Sequence, residues 1–410
     1  MDRFTGLIGI VLILGVAFLC SNNRKRINLR LVLSGLTLQI AIAVLLLKVP
    51  PVTHFFQYMG RGMQRLEGFA KTGAAFVYGG IGAVNKDGNI VNYNAQGTFV
   101  FAFNITATII LVCILVAIFY YFGIMQRIVA IAAKAMNVIM KVSGAEALSN
   151  VASTFVGQIE AQIMIRPYLA TMTMSELLAS MSGSLACIAG GILIIYANMG
   201  ARPEYLIAAS IMAAPGALVI SKIVFPETET SPTMDNVKLE VKNEYTNLVD
   251  AITHGATDGF KIAMNVIAML IGFIALITML NWILSHIYTG LTLDLIFAKL
   301  FFPFAWAMGV PTADINNAAT LLGQKLTVNE FVAFSNLTSK TVPILTEKGL
   351  MIVTIAICGF ANFSSVGMQI GGIGVLAPER RTDLARLGMR ALLCGTLASY
   401  LSATIAGMLM

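Results

Sequence analysis

The sequence predicts an all-α polytopic membrane protein with eight transmembrane helices, two re-entrant helical hairpins in an inverted repeat, and interfacial helices. Hydrophobic residues make up 57% of the 410-residue chain and charged residues only 11%, whereas soluble domains carry about 25% charged residues. The mean hydropathy is +0.82. Several uninterrupted apolar runs reach or approach the roughly 20 residues that a helix needs to cross a bilayer. These observations exclude an ordinary soluble protein.

The predicted spans follow the apolar runs in chain order. They lie near residues 5–20, 29–49, 99–122, 176–199, 204–224, 262–286, 350–375 and 387–409. The first run is interpreted as a span rather than a leader, because Asp2 and Arg3 make a weak leader and no small-residue cleavage site follows. Arg24, Lys25 and Arg26 follow this run. The positive-inside rule places that membrane end in the cytoplasm.

An outside start and eight crossings predict that both termini lie outside the cytoplasm of a bacterial inner membrane. The same count places residues 377–390 on the cytoplasmic side. This segment carries four arginines: Arg380, Arg381, Arg386 and Arg390. Their position agrees with the positive-inside rule.

The segments between the spans are more polar. Residues 60–73 have the charge content of a surface helix, residues 84–97 are rich in turn formers, and residues 225–247 form a water-facing linker. Basic residues recur every seven positions within 124–142: Arg127, Lys134 and Lys141. Because this spacing puts them on one helical face, we expect an interfacial helix there.

The distribution of charged and metal-ligating residues argues against a nucleic-acid-binding surface and against a metal site. The net charge of +7 comes from basic residues that are scattered or flank apolar runs, so no nucleic-acid partner is predicted. The five cysteines have neither paired nor metal-ligand spacing, and the three histidines are far apart. No resident cofactor is predicted.

Two intervals do not read as simple spans: Ala145–Leu169 and Ile296–Phe334. Each is apolar with polar interruptions, and each precedes a glycine-containing apolar run. Glu160 comes before the run at Ile188, as Glu330 comes before the run at Phe360. Interrupted hydrophobic segments at corresponding positions of two halves indicate a transporter site near the bilayer midplane. Alternatively, the glycines only let helices pack closely.

An ionised carboxylate in hydrocarbon costs about 3 kcal/mol, so Glu160 and Glu330 each need a compensating role. One possibility is structural: each pairs with a basic residue, such as Arg166 or Lys325, or caps a broken helix. The polar neighbours favour a binding site instead: Gln158, Asn329, Asn362, Ser364 and Ser365. Amides and hydroxyls suit a neutral ligand with many donors, such as a sugar hydroxyl array. We expect both carboxylates to meet around such a ligand.

Three segments carry a family resemblance: "VGQIEAQIMIRPYL", "NEFVAF" and "CGFANFSSVGMQIGGIGVLAPERR". They resemble the signature segments of the concentrative nucleoside transporters, and the likeness extends from "SNNRKRINLR" to "ATIAGMLM". The resemblance implies a nucleoside symporter for uridine-like substrates, driven by Na+ or H+ and embedded in lipid as a homotrimer. It also implies an elevator-type movement of a transport domain against a scaffold.

The resemblance assigns parts of the chain to these domains. Residues 1–142 would be mainly scaffold, and 143–224 the first half of the transport domain. Residues 225–286 would be a cytoplasmic linker and a long scaffold helix, and 287–410 the second half of the transport domain.

The resemblance also implies site residues. Gln158 and Glu160 would face the nucleobase with Ile192 packed near it. Glu330, Asn362 and Ser365 would hold the ribose hydroxyls, and Phe360 would line the pocket. Ile159 stands where the family usually has a hydroxyl residue, which removes one expected contact to the base.

The implied cation site consists of Ser153, Val156, Cys187 and Ile188. Sodium-coupled members have an asparagine and a serine where this chain has Ser153 and Cys187, and a thiol is a poor ligand for a hard cation. Proline is common at the position of Gln162. The rest of the chain is more similar to the sodium branch, so sodium is favoured over the proton.

Two further function classes compete with a symporter. A passive channel would line one continuous helix with polar residues, whereas this sequence predicts broken helices. An intramembrane enzyme could use Glu160 and Glu330 as an acid and base. No nucleophile, metal cluster or cofactor motif accompanies them, so the chain is predicted not to be an enzyme.

Overall fold

The computed structural model describes residues 2–78, 101–234 and 245–410. Within these residues the regular structure is helical and contains no strand, which confirms the predicted all-α class. The helices of the first part are α1 (Asp2–Leu19), α2 (Leu29–Lys48), α3 (Pro50–Tyr78), α4 (Phe101–Tyr121), α5 (Ile124–Met140), α6 (Gly144–Phe155), α7 (Glu160–Ile163), α8 (Arg166–Leu169), α9 (Met174–Ala186), α10 (Gly190–Asn198) and α11 (Pro203–Val224). Those of the second part are α12 (Leu248–Ile287), α13 (Leu293–Ala307), α14 (Ile315–Thr327), α15 (Glu330–Thr338), α16 (Glu347–Ile357), α17 (Phe363–Leu376) and α18 (Arg381–Leu409).

Apolar helices match the predicted spans, although not all of them are long enough to cross a bilayer alone. Among the described residues, four helical stretches pass a test of length and composition: Leu29–Lys48, Met174–Asn198, Pro203–Val224 and Pro378–Leu409. A fifth is the pair Thr106–Tyr121 and Ile124–Met140, which is bent by 74°. Three shorter apolar helices coincide with the other predicted spans: Thr5–Leu19, Ile274–Ile287 and Phe363–Leu376. The number of crossings stays a prediction.

The predicted surface segments are helical where the structure describes them. Residues 60–73 lie within α3, and the predicted interfacial helix is α5. One face of α5 is buried through Val129, Ala133 and Met136, while Arg127 and Lys134 are exposed. The turn-rich segment 84–97 and residues 235–244 of the linker lie outside the described residues.

The same order of elements occurs twice in the chain. The first series is the hairpin α6 to α8, the interrupted helix α9–α10 and the long helix α11; the second is the hairpin α14–α15, the interrupted helix α16–α17 and the long helix α18. The predicted interval Ile296–Phe334 was therefore too wide as a hairpin. Its first part belongs to the separate apolar helix α13, and the hairpin begins at Ile315.

The two helix interruptions cross each other. The N–H of Phe360 donates to the carbonyl of Cys187 at 3.3 Å, which joins the break in α16–α17 to the break in α9–α10. Gly359 makes this approach possible. Its φ is +124°, and a Cβ placed on it would collide with the carbonyl oxygen of Ala186. Only glycine fits both the backbone conformation and the space.

Gly359→Ala is therefore expected to destabilise the fold by about 2 kcal/mol or more, since strain of this kind costs 1–3 kcal/mol before the collision is counted. The melting temperature of the detergent-purified protein measures the effect. Gly367→Ala, in α17, is the matched control because its Cβ meets no atom within 4 Å. A melting temperature as high for Gly359→Ala as for Gly367→Ala would contradict the prediction.

A buried ionic cluster holds the beginnings of α6 and α9 against the end of α11. Each of the two helices starts with a capping box, formed by Ser143 with Glu146 and by Thr173 with Glu176. The ammonium of Lys222 lies 2.8 Å from the carboxylate of Glu146. The cluster includes part of the linker: Lys222 lies 3.3 Å from Glu227, and Thr233 donates to Glu176 at 2.9 Å.

Arg380 connects the first hairpin to the start of α18. Its guanidinium donates to three carbonyl oxygens just beyond α8, those of Leu169, Ala170 and Met172, at 3.2, 3.1 and 2.7 Å. It also pairs with Asp383 at 2.7 Å. From the sequence, Arg380 was interpreted only as one of the basic residues that mark the cytoplasmic side of the membrane. The structure adds a second role, because the guanidinium satisfies carbonyl groups at a helix end.

Candidate functional site

Glu330 lies at the beginning of α15, where Asn329 caps the helix by accepting from the N–H of Val332 at 2.9 Å. Its carboxylate is only 7% exposed. The hydroxyl of Tyr196, from α10, donates to Oε1 at 3.2 Å, and the amide of Asn362 donates to Oε2 at 2.8 Å. Two interrupted helices and one hairpin therefore meet at this carboxylate.

Asn362 links this carboxylate to the start of α17. Its side-chain oxygen caps the helix, accepting from the N–H of Ser365 at 2.8 Å and from the hydroxyl of Ser364 at 2.7 Å. Its Nδ2 is then directed at Glu330. Asn362 and Ser365 are both 1% exposed. The cap thus fixes the orientation of the amide that Glu330 needs.

The tip of the first hairpin lies farther along α17. The carbonyl oxygen of the Gln158 side chain accepts from Nε2 of Gln369 at 3.5 Å, and Ile159 packs where a Cβ on Gly372 would be. Seven residues separate Asn362 from Gln369 on one helix, which corresponds to about 10 Å. The Gln158 and Glu330 environments therefore lie along α17, one near its start and one near its middle.

Glu160 is placed differently from Glu330. It is the first residue of α7, and its carboxylate folds back over Gly157, occupying the space that a Cβ there would take. The side chain is exposed although protein atoms surround it densely. Cys113 of α4 and Asp258 of α12 lie in its neighbourhood. Among the described residues, no hydrogen-bonded cluster contains both Glu160 and Glu330, so the expectation that they meet has no support in direct contacts.

Ile192 and Phe360 are both half-buried. Ile192 is on α10, four residues before Tyr196 and hence on the same helical face. Phe360 lies in the break before α17, where its N–H bonds to Cys187. Both residues therefore lie on elements that converge near Glu330.

The four residues of the implied cation site lie together at the junction of α6 with the α9–α10 break. The hydroxyl of Ser153 donates to the carbonyl of Ser149 at 2.7 Å and pairs with the hydroxyl of Ser184 at 2.8 Å. Val156 is the C-cap of α6. The thiol of Cys187 donates to the carbonyl of Ser210 at 3.8 Å.

Ser210, from α11, closes this junction. Its hydroxyl lies 3.2 Å from the carbonyl oxygens of both Thr154 and Ile188. The described residues contain no group of three or more His, Cys, Asp or Glu side chains that could hold a metal. The polar atoms at this junction are hydroxyl and carbonyl oxygens and the thiol of Cys187, and the oxygens are the ligands that hard cations prefer.

The comparisons with known proteins agree with the order of these elements. Family models match residues 8–81 (Na+ dependent nucleoside transporter N-terminus), 102–203 (nucleoside recognition) and 205–407 (Na+ dependent nucleoside transporter C-terminus). The nucleoside permease NupC of Helicobacter pylori is 36% identical, over 98% of this chain and 96% of its own length. The chain belongs to the concentrative nucleoside transporter family. It is accordingly a multi-pass membrane protein.

Other known proteins are similarly close to this chain. An uncharacterized transporter of Haemophilus influenzae is 40% identical over 100% of this chain and 98% of its own length. Among solved structures, CNTnw in an inward-facing substrate-bound state has a TM-score of 0.92 and 37% identity, covering 100% of this chain and 99% of that one. A CNTnw variant in an outward-facing state also has a TM-score of 0.92 and 37% identity, covering 100% and 98%.

Sequence reasoning missed Tyr196 in this concentrative nucleoside transporter. The side chain is fully buried and stacks on Phe334, with ring centroids 4.3 Å apart. Its hydroxyl is the only polar side-chain group between Ile188 and Ala197. A single polar group in an apolar run was the one sequence feature that could have marked Tyr196 as a site residue. Its partner Glu330 lies 134 positions away, so no local pattern could have joined them.

Gln162 was noticed only as a departure from the family. In the structure its side chain is hydrogen-bonded at both ends: Nε2 donates to Ser184 at 2.8 Å, and Oε1 accepts from Ser180 at 2.7 Å. Because Ser184 also pairs with Ser153, the amide extends the polar network of the implied cation site into the hairpin.

Proposed function

We propose that this protein imports nucleosides by symport with a cation, sodium being favoured. The observation that carries the proposal is the buried carboxylate of Glu330, held between Tyr196 and Asn362 at the meeting of α10, α15 and α17. A carboxylate whose hydrogen-bond partners are neutral groups suits a neutral polyhydroxyl solute. An anionic solute would instead require arginines.

Glu330 retains capacity for a ligand. A carboxylate has about four acceptor positions, and Tyr196 and Asn362 use two of them. The remaining two match the vicinal hydroxyls of ribose, both of which can donate. Asn362 and Ser365 would complete the ribose contacts, with Phe360 lining the pocket.

The base would lie toward the first hairpin. Gln158, at the α17 side of the hairpin tip, can donate and accept. Glu160 would accept from ring N–H groups, and its exposure supports access by a ligand. Ile192 would pack against the ring, and Ile159 offers only apolar contact.

The cation would bind at Ser153, Val156, Cys187 and Ile188. Sodium prefers oxygen ligands, and the family descriptions are sodium-dependent. The oxygens there are engaged: Ser153 pairs with Ser184, and the carbonyl of Ile188 accepts from Ser210. Sodium entry would therefore exchange protein hydrogen bonds for ion ligands.

Proton coupling is the second candidate, and the thiol of Cys187 favours it. A thiol at a position where sodium needs an oxygen weakens a sodium site. Ser153 offers one hydroxyl in place of an amide, which weakens it further.

The remaining features of the proposal rest on family membership. The chain would assemble as a homotrimer in the bacterial inner membrane with both termini outside the cytoplasm. Residues 1–142 and 225–286 would mainly form the scaffold and linker, against which 143–224 and 287–410 move as an elevator. Arg380 supports the last grouping, because it ties the end of the first hairpin to the start of α18.

The function is tested by uptake of radiolabelled uridine into proteoliposomes, with sodium and proton gradients imposed separately. We expect concentrative uptake under a sodium gradient alone. Uptake only under a proton gradient would select the alternative. If no nucleoside were taken up in response to either gradient, the symport proposal would be overturned. A flux that needs no gradient and does not saturate with substrate would indicate a channel.

Ser153→Asn is expected to strengthen sodium dependence, because it supplies the amide oxygen that Ser153 lacks. One added ligand worth about 1.4 kcal/mol would lower the sodium concentration for half-maximal uptake about tenfold. Ser153→Ala is the control, since it removes the hydroxyl without adding an amide. An unaltered sodium response in a folded Ser153→Asn variant would argue against a cation site here.

A further inference from the structure

Lys325 is a buried cation to which the site described so far gives no role. It lies on α14, two residues before the helix ends, and its side chain is 0% exposed. Its Nζ has no hydrogen-bond partner among the described residues. An ammonium group that is buried without partners is strongly unfavourable unless other charges compensate for it.

The compensating groups are at the second hairpin. Helix α14 packs against α15, which begins at Glu330, and against α16, which Cys358 caps, so the ammonium of Lys325 lies within electrostatic reach of both residues. Helix α16 ends at Ile357, just before Cys358, and α14 ends at Thr327. The C-terminal end of a helix carries partial negative charge on its free carbonyl groups. The ammonium therefore lies near one carboxylate and two helix C-termini.

The first half has the same arrangement without a lysine. There α6 ends at Phe155 with Val156 as its C-cap, and α9 ends at Ala186 with Cys187 as its C-cap. The N–H of Cys187 bonds to the carbonyl of Gly183, just as the N–H of Cys358 bonds to that of Thr354. Half-helix C-termini and unwound carbonyls form cation sites in transporters with repeated halves. This junction in the first half is the proposed cation site.

We propose that Lys325 is a tethered cation of the second half. Its ammonium is, beside Cys358, a covalently attached counterpart of the positive charge that the first half obtains from a coupling ion beside Cys187. It balances Glu330 as well, so that the carboxylate stays charged and accepts from the solute. Lys325 is a positioning residue in this scheme, because it acts through Glu330. The inference rests on the proposed nucleoside binding.

The first test is equilibrium binding of radiolabelled uridine to the detergent-purified full chain. Lys325→Ala is expected to weaken binding about tenfold or more, and added methylammonium chloride is expected to restore much of the loss. Choline chloride at the same concentration controls for ionic strength. Lys299→Ala, at an exposed lysine of α13, controls for the loss of a positive charge elsewhere and should respond to neither salt.

The outcomes separate the inference from the proposed function. If the wild-type chain did not bind nucleosides, both the proposed function and the inference about Lys325 would be overturned. If the wild type bound uridine and Lys325→Ala bound it equally well, the inference about Lys325 would be overturned and the proposed function would not. Restoration by methylammonium and not by choline would support it, because a purely packing role is insensitive to a small amine.

A second measurement applies if Lys325→Ala folds poorly or is not restored. Melting temperatures of Lys325→Met, Glu330→Gln and the double variant form a cycle that isolates the interaction of the two charges. We expect Lys325→Met to lower the melting temperature much less in the Glu330→Gln background than in the wild type. Additive shifts would overturn the proposal.

Discussion

Glu330→Gln is expected to weaken uridine binding about 100-fold while the protein still folds. Glu330 is the acceptor for Tyr196 and Asn362 and has two further acceptor positions for the solute. A glutamine replaces one oxygen with an NH2 group, which cannot accept. Hydrogen bonds to charged groups contribute about 1.5–3 kcal/mol each, so losing the equivalent of one to two of them corresponds to about 2.7 kcal/mol, or 100-fold.

The measurement is the dissociation constant of uridine, compared with that of 3′-deoxyuridine, for wild type and variant. If the carboxylate accepts from the ribose, the wild type loses affinity when the hydroxyl is removed and Glu330→Gln loses much less. Glu347→Gln is the control, because Glu347 is a mostly exposed carboxylate paired with Arg202. Unchanged uridine affinity in Glu330→Gln would show that the ribose assignment is wrong.

Lys222→Met is expected to destabilise the protein by about 3–5 kcal/mol, the range observed when one partner of a buried ion pair is removed. The ammonium of Lys222 lies 2.8 Å from Glu146, 3.3 Å from Glu227 and 2.9 Å from the hydroxyl of Ser175. The side chains of Lys222 and Glu146 are only 6% and 3% exposed. Without the ammonium, the carboxylate of Glu146 is left buried and uncompensated.

Chemical denaturation of the detergent-purified protein measures this loss. Lys261→Met is the matched control, because Lys261 pairs with Asp258 at 3.8 Å and both side chains are more than half exposed. An exposed pair contributes about 0–1 kcal/mol. If the two variants were equally stable, the ionic cluster would not hold α6, α9 and α11 together.

The sequence predicted the helical class and the broken helices because both depend on local features. Apolar runs set the spans, and the segment around Gly359 and Asn362 combines a residue that tolerates unusual backbone angles with a strong helix cap. Asn362 was predicted as a ligand-binding residue. Its local role as a cap and its contact with Glu330 come from the same side chain.

Long-range contacts were beyond the sequence. Tyr196 and Glu330 belong to different halves, and Lys222 and Glu146 are far apart in the chain. The start of the second hairpin was misplaced because α13 is an apolar stretch interrupted by Lys299 and Pro303, and an interrupted apolar stretch was the feature that marked a hairpin. The exposure of Glu160 depends on how the first hairpin faces α4 and α12, which no local pattern encodes.

The crossing of the two interrupted helices has a thermodynamic consequence. One backbone hydrogen bond, from Phe360 to Cys187, connects a residue beside the solute groups to a residue beside the ion groups. A ligand that shifts either break must perturb the other through this bond. Reciprocity then requires that an ion which raises affinity for the solute be held more tightly, by the same factor, once the solute is present.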